Sequence, residues 1–358
     1  MTDSHHFAAM MIESAKGALS GFAAAEFTQS GTAEPGGPTF DAWRANLDRR
    51  LQELSASLRF EEPQLLAHEL RWAEAAFENR GLTRDDLHQS LRHLRSALQE
   101  KLPPQAGEPA IDYLDQAVEA ITQDDHAQAA QAIDDTTEGG RLALRYLERV
   151  LRGSRLEATK LILEAAENGS SLNDLFENVL TPVQREIGNQ WHRGELSIAE
   201  EHFCTSTTQH TITALIEHSQ QRARDGASST ERGVVATAAC SGNMHDMPLR
   251  ILAGVFEESG WRVVQLGCDV PPTEVGHAAE AFAVDLVLLS ATLSLHLEPV
   301  RQAIRQVRQR RPETRILVGG RIFSALPSLS EKVGADAMAP SAGDALLQAD
   351  RLLASQTN

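Results

Sequence analysis

The sequence predicts a multidomain chain: an all-α N-terminal region, a four-helix bundle, and an α/β domain with a doubly wound parallel sheet of five strands. Three observations predict it. Apolar residues recur at helical spacing from the first residues to about residue 220. The pattern then switches to short apolar runs that alternate with helical segments five times, the signature of a parallel sheet covered on both faces. Gly/Pro-rich or polar stretches mark the seams: "SGTAEPGGPT" (Ser30 to Thr39), "QDDHAQAAQAIDDTTEGGR" (Gln123 to Arg141) and "RARDGASSTER" (Arg222 to Arg232). They divide the chain into a helix and linker (1–39), a helical region (40–135), the bundle (140–222) and the sheet domain (232–355).

The elements follow in order. Residues 4–27 read as a short amphipathic helix. In "LLAHELRWAEAAFENRGL" the residues Leu66, Leu70, Ala73 and Phe77 form one stripe, with Gly81 as the C-cap. Thr83 is placed as an N-cap ahead of Leu87, Leu91, Leu94 and Leu98, and Pro103-Pro104 stop that helix. "AIDYLDQAVEAIT" continues the helical region. In the bundle, Ser154 reads as a cap, Asn168-Gly169 as a stop and Thr181-Pro182 as a fresh helix start. Ser197 with Glu200 three residues on has the spacing of a capping box. The strands are "GVVATAAC", "RVVQLG", "DLVLLSAT", "RILVGG" and "ADAMAP". The helix after the first runs from about Asp246 to Ser259, and "SALPSLSEKV" reads as one short helix.

Composition bounds the function. The chain has 358 residues, 42% of them hydrophobic, with a net charge of −17, which leaves ample core and no basic stripe for nucleic acid. Its three cysteines, Cys204, Cys240 and Cys268, lack CxxC spacing and read as free thiols in a reducing compartment. The start carries Asp3, Glu13 and Lys16 within its apolar pattern, unlike a signal peptide, and no apolar run reaches the roughly 18 residues of a membrane span. A cytoplasmic protein is expected.

In open parallel sheets ligands bind beyond the carboxyl ends of the strands. There this sequence places "CSGNMHDMPLRI" after the first strand, Ser290-Ala291-Thr292 after the third and Gly319-Gly320 after the fourth. His245 suits a transition metal, and either Asn243 or Asp246 could hold its second ring nitrogen. Each feature alone has a bland reading: a surface histidine, two strand-end hydroxyls, a tight turn.

Together they resemble the cobalamin-binding domain in which a loop histidine takes the place of the nucleotide base beneath cobalt. That pattern is Asp/Glu-x-His-x-x-Gly, Ser-x-Leu/Thr and Gly-Gly. Here it reads Asn243-x-His245-x-x-Pro248, Ser290-x-Thr292 and Gly319-Gly320, with Asn for the acid and Pro for the glycine. The resemblance implies that His245 is the lower axial ligand of cobalt, and that Ser290, Thr292 and the glycines take the displaced benzimidazole tail. The preceding block, "QWHRGELSIAEEH", resembles the cap of CarH-type light-sensing cobalamin proteins, in which nine residues separate a Trp from Glu-His. Trp191 and Glu201-His202 fit that spacing. The resemblance implies that these three surround an adenosyl group, and that His192 becomes the upper ligand once light breaks the cobalt–carbon bond.

Residues 1–135 lack a helix-turn-helix, and "RWAEAAFENRGLTRDDLHQSLRHLRSALQEKLP" resembles the N-terminal helices of photocobilins, which carry a bilin beside the cobalamin. His68, Arg71, Arg92, His93 and Arg95 are the candidate partners of a biliverdin, held without a thioether because no cysteine precedes Cys204. The function expected by resemblance is a non-enzymatic photoreceptor binding adenosylcobalamin, with a light-dependent homo-oligomeric state and a separate downstream protein partner. The alternatives are the corrinoid subunit of a methyltransferase, and an interaction module that has lost its cofactor.

Overall fold

The computed structural model describes residues 3–29, 38–78, 82–123, 133–226 and 232–354. Gly81 and parts of all three predicted seams lie outside them. The chain forms two compact units, Met1–Gln128 and Ala129–Asn358.

The first unit contains α1 (Asp3–Gln29), α2 (Phe40–Arg59), α3 (Pro63–Glu78), α4 (Arg84–Lys101) and α5 (Pro104–Gln123). The predicted stripes all point inward: Leu66, Leu70, Ala73 and Phe77 join Leu87, Leu91, Leu94 and Leu98 in one core. Helix α1 belongs to that core through Ala8, Ile12, Leu19 and Phe27, so it is not a separate N-terminal segment. Thr83 caps α4 in a full capping box with Asp86. Among the buried charged residues, Arg50 and Glu53 on α2 are paired at 3.0 Å. Burial pushes the Glu53 carboxyl up to about 7, against the pull of the Arg50 charge.

This has a testable sign. Glu53 binds its proton more tightly folded than unfolded, so its contribution is full at low pH and is lost as pH rises from about 4.5 to about 7. Amide exchange in α2, corrected for intrinsic rates, should show protection falling from pH 5 to pH 8. Glu53→Gln should flatten that slope, and an unchanged slope would contradict the assignment.

The second unit opens with a four-helix bundle. Its helices are α6 (Glu138–Leu151), α7 (Arg155–Glu167), a long third rod and α10 (Ile198–Gly226). The rod is α8 (Leu172–Leu175), a π-helical turn (Phe176–Leu180) and α9 (Thr181–His192) in unbroken succession. Thr181-Pro182 therefore does not start a new helix. Pro182 lacks an N–H and would clash with the carbonyl a turn back in a regular α-helix, and the wider π turn just before it supplies the room. Ser197 and Glu200 form the predicted capping box, Glu200 accepting from the Ser197 N–H at 2.8 Å. Ser154 makes no side-chain cap bond.

The sheet follows: β1 (Val234–Cys240), α11 (Met247–Glu258), β2 (Arg262–Val270), α12 (Pro272–Ala281), β3 (Leu286–Ser290), α13 (Leu297–Arg310), β4 (Arg315–Gly319), α14 (Arg321–Ala325), α15 (Leu329–Val333), β5 (Ala337–Ala339) and α16 (Ala342–Ala354). The "SALPSLSEKV" stretch thus falls within two short helices rather than one, with Pro327 in the break. All pairings are parallel, in the order β2-β1-β3-β4-β5. Strands β1 and β3 are buried along their whole length, which is why they read as continuous apolar runs. Strand β2 extends past the predicted "RVVQLG" to Val270, across register shifts opposite β1.

The bundle and the sheet share one apolar cluster. Val255 of α11 and Ala342 of α16 are buried in the same core as Phe176, Ile187 and Leu215. At Gly254 an added Cβ would lie 2.6 Å from Ile216 of α10, so the two helices approach at van der Waals contact. The Glu177 carboxylate accepts the Gly343 N–H at 3.0 Å at the start of α16. Any rotation of bundle against sheet would have to separate these contacts.

Candidate functional site

The strand order reverses between β1 and β3, the place in an open parallel sheet where ligands bind beyond the carboxyl ends of the strands. The loop after β1 supplies Asn243, His245 and Asp246, and the loop after β3 supplies Ser290 and Thr292. Gly242, at φ +84°, lets the chain turn sharply out of β1. Asp269, at φ +55° on β2, braces the turn from the side. Its carboxylate accepts the Gly242 N–H at 2.8 Å, and its own N–H donates to the Asn243 carbonyl at 3.0 Å.

Asn243 is fully buried and sets the state of His245. Its Nδ2 donates to the Ser290 carbonyl at 3.0 Å, and a carbonyl only accepts, so the amide cannot be flipped. Its Oδ1 therefore faces His245 and accepts the ring Nδ1–H at 2.9 Å and the backbone N–H at 3.2 Å. The Nδ1 proton leaves Nε2 of the neutral ring as a lone-pair donor, the form a metal requires. Burial, and then the positive charge of Arg321, hold the imidazole below its ordinary range, with Asp246 opposing. The neutral ligand is favoured accordingly.

Asp246 does not hold the ring. Its Oδ1 accepts from Gln209 of α10 at 3.0 Å and its Oδ2 pairs with Arg250 at 2.9 Å. The first of these bonds joins the bundle to the histidine loop. Thr292 Oγ1 reaches Asn243 Oδ1 at 3.5 Å, and Arg321 Nε donates to the Thr292 carbonyl at 3.4 Å. The buried His296 closes the wall, its Nδ1 accepting the N–H groups of Thr292 and Leu293 at 3.2 Å each. Gly319 and Gly320 lie at the end of β4, where Gly319 pairs with Ser290. A Cβ on Gly319 would be 2.8 Å from the Ala339 carbonyl oxygen.

The bundle's candidates stand at the junction of α9 and α10. Trp191 and His192 finish α9 with ring centroids 6.4 Å apart, and Glu201 and His202 sit in the first turn of α10. His202 is exposed, its Nδ1 2.6 Å from Glu201. The other Glu201 oxygen accepts from Thr205 at 2.6 Å, and Gln184 of α9 donates to Thr208 at 2.6 Å. Gln209 follows Glu201 by about two turns on the same helix, a rise of about 12 Å. The sequence reading missed Gln209, Arg321 and His296. Only Arg321 had a local signal, a cation directly after the Gly-Gly turn.

Two of the three thiols are not poised for chemistry: burial pushes Cys204 up to about 11 and Cys240 up to about 12. The five bilin candidates lie on α3 and α4 of the first unit. Arg71 donates to the Ala120 carbonyl, Arg92 pairs with Asp85 and Arg95 forks onto Asp115. His93 lies 3.6 Å from Glu26, and His68 is half-buried on α3.

The donor set fits a corrinoid. It offers one neutral imidazole with a fixed tautomer, paired glycines at the end of β4 beside the Ser290 end of β3, and no metal-binding cluster of His, Cys, Asp or Glu among the described residues to compete with it.

Comparison with known proteins points the same way. Residues 233–349 and 142–216 each match a family model described as a B12 binding domain. The dimethylamine corrinoid protein 1 of Methanosarcina acetivorans is 25% identical over 200 residues, covering 55% of this chain and 91% of its own. The dimethylamine corrinoid protein of Methanosarcina barkeri is 24% identical over 213 residues, covering 59% and 97%. The structure of the Methanosarcina barkeri monomethylamine corrinoid protein superposes with a TM-score of 0.51 at 19% identity, covering 58% of this chain and 97% of that one, and shares the fold.

Proposed function

We propose, because residues 142–216 and 233–349 each match a B12 binding domain, that the chain is a corrinoid carrier working with a methyltransferase, and not itself the catalyst. The observation that carries the cobalamin part is the His245–Asn243 bond at 2.9 Å, which presents Nε2 as a neutral donor at the switch point of the sheet. The methyl-transfer part is supported by the relatives, which are methylamine corrinoid proteins by name. Cobalamin, when bound, would supply a cobalt able to carry a methyl group. His245 would hold the metal through Nε2, Ser290, Thr292, Gly319 and Gly320 would receive the nucleotide tail, and the bundle would exclude water.

The test is to load the full chain with methylcobalamin and to follow methyl loss when a corrinoid-dependent methyltransferase and its thiol acceptor are added. Transfer faster than from free methylcobalamin supports the carrier role. No acceleration, with the protein correctly loaded, removes it.

A second reading is favoured by the residues at the cap. Trp191, His192, Glu201 and His202 have the spacing of the light sensors, and in that reading they enclose an adenosyl group, with His192 taking the upper position after illumination. Trp191→Ala should then loosen adenosylcobalamin by about tenfold, the scale of losing one large buried aromatic contact, and leave hydroxocobalamin nearly unaffected. Equal loss of both would make Trp191 bundle packing alone. Green-light illumination of the adenosylcobalamin form should also change its elution on size exclusion, and identical profiles would argue for the carrier. A bilin on the first unit is the remaining part of this reading. It predicts a red-absorbing band with biliverdin, and a ligand there has to compete with the carboxylates already paired to Arg92 and Arg95.

A further inference from the structure

We infer that Asn243 and Arg321 together make the lower ligand a weak electron donor, so that the bound cobalt is easier to reduce from Co(II) to Co(I) than it would be above a carboxylate-paired imidazole. This rests on the reading of His245 as the axial ligand.

The partner of a metal-bound histidine sets how much electron density the ring passes to the metal. A carboxylate accepting the Nδ1–H forms a charge-assisted bond and raises the basicity of the other nitrogen. Here the acceptor is a neutral amide oxygen, and that oxygen is shared with the His245 backbone N–H at 3.2 Å. The amide is required by its surroundings. Its other end donates to the Ser290 carbonyl at 3.0 Å in a fully buried place. A carboxylate would set an oxygen against that carbonyl oxygen inside the protein. The last residue of β3 thus selects Asn over Asp, and the electronic character of the histidine follows from a hydrogen bond made elsewhere.

Of the charges nearby, the Arg321 cation acts in the same direction and the Asp246 carboxylate against it. Arg321 Nε donates to the Thr292 carbonyl at 3.4 Å, and Thr292 Oγ1 stands 3.5 Å from the Asn243 Oδ1 that holds the ring. Asp246, the nearest carboxylate in sequence, is turned to Gln209 and Arg250 and takes no part in holding Nδ1. A less basic axial nitrogen and a nearby positive charge both favour the electron-rich state of the metal, because the identity, hydrogen bonding and charge environment of an axial ligand are the levers that tune a metal's potential. The reduction takes one electron from an external one-electron donor and transfers no atom.

The experiment uses the full chain loaded with cob(II)alamin and titrated with titanium(III) citrate, together with the electron paramagnetic resonance spectrum of the Co(II) form. Wild-type protein is expected to show the nitrogen splitting of an axial imidazole, lost in His245→Ala. Asn243→Asp should then require a more negative potential for half reduction. Arg321→Gln should shift it the same way by less, and it decides the matter should Asn243→Asp fail to fold or load. Wild-type and variant potentials that coincide, with the nitrogen splitting present, would overturn this inference and leave the ligand in place. A wild-type spectrum without nitrogen splitting and identical to that of His245→Ala would instead overturn the ligand assignment itself.

Discussion

His245→Ala should weaken cobalamin retention by at least about tenfold to a hundredfold, since losing even an outer partner of a metal ligand costs that much. The bound spectrum should move to the base-off form, with nothing occupying the lower position. The fold should survive the change. The His245 side chain hydrogen-bonds to Asn243, and the backbone N–H to the same oxygen, at 3.2 Å, remains. Added imidazole should restore part of the lost absorption by entering the vacated space. Equilibrium dialysis and absorption spectra measure both effects. Unchanged retention and spectrum would place the ligand elsewhere.

The second large effect is expected at Gly320. This residue has φ +99°, where an L side chain is strained. Its added Cβ would also overlap the Ala291 carbonyl oxygen and lie 3.1 Å from Ser290 Oγ. Neither neighbour can retreat easily, since Ser290 is paired in β3 and the Ala291 N–H donates to the Gly319 carbonyl at 3.0 Å. Gly320→Ala should cost about 2–4 kcal/mol, summing strain and overpacking. In a unit of this size that lowers the melting temperature by roughly 5–15 °C. A well-folded variant with unchanged melting would mean that the turn between β4 and α14 can relax in a way the packing around it does not suggest. The same Cβ would crowd Ser290 Oγ, one of the groups proposed to receive the nucleotide tail, so cobalamin affinity should also fall below the melting temperature.

The parallel sheet was legible because β1 and β3 are buried on both faces and have no polar alternation to confuse with a helix. The site loops were legible for a related reason: ligands gather where strands end, and only a few residues with metal chemistry stand there. Which neighbour holds His245 was not legible. The answer depends on Gln209, 37 residues before Asp246, which diverts that carboxylate, and on the Ser290 carbonyl, which fixes the amide. The reading of Thr181-Pro182 as a start failed because Pro marks both a first turn and a tolerated break, and only the helix geometry before it separates the two. In the first unit, Arg95 looked free for a ligand because its partner Asp115 lies 20 residues away on another helix.

The π turn at Phe176–Leu180 takes up one residue more than an α-helical turn would within about the same rotation, so the helix faces on either side of it stay in phase. Deleting a single residue there would restore ordinary winding and leave Gln184, Trp191 and His192 facing nearly as they do now. A single deletion in the regular turns of α9, by contrast, would swing the residues beyond it by about 100°. The composition of the bundle would hardly change, yet the aromatic end of α9 would face a different neighbour. The wide turn is therefore the place in this rod where a change of length costs the bundle least.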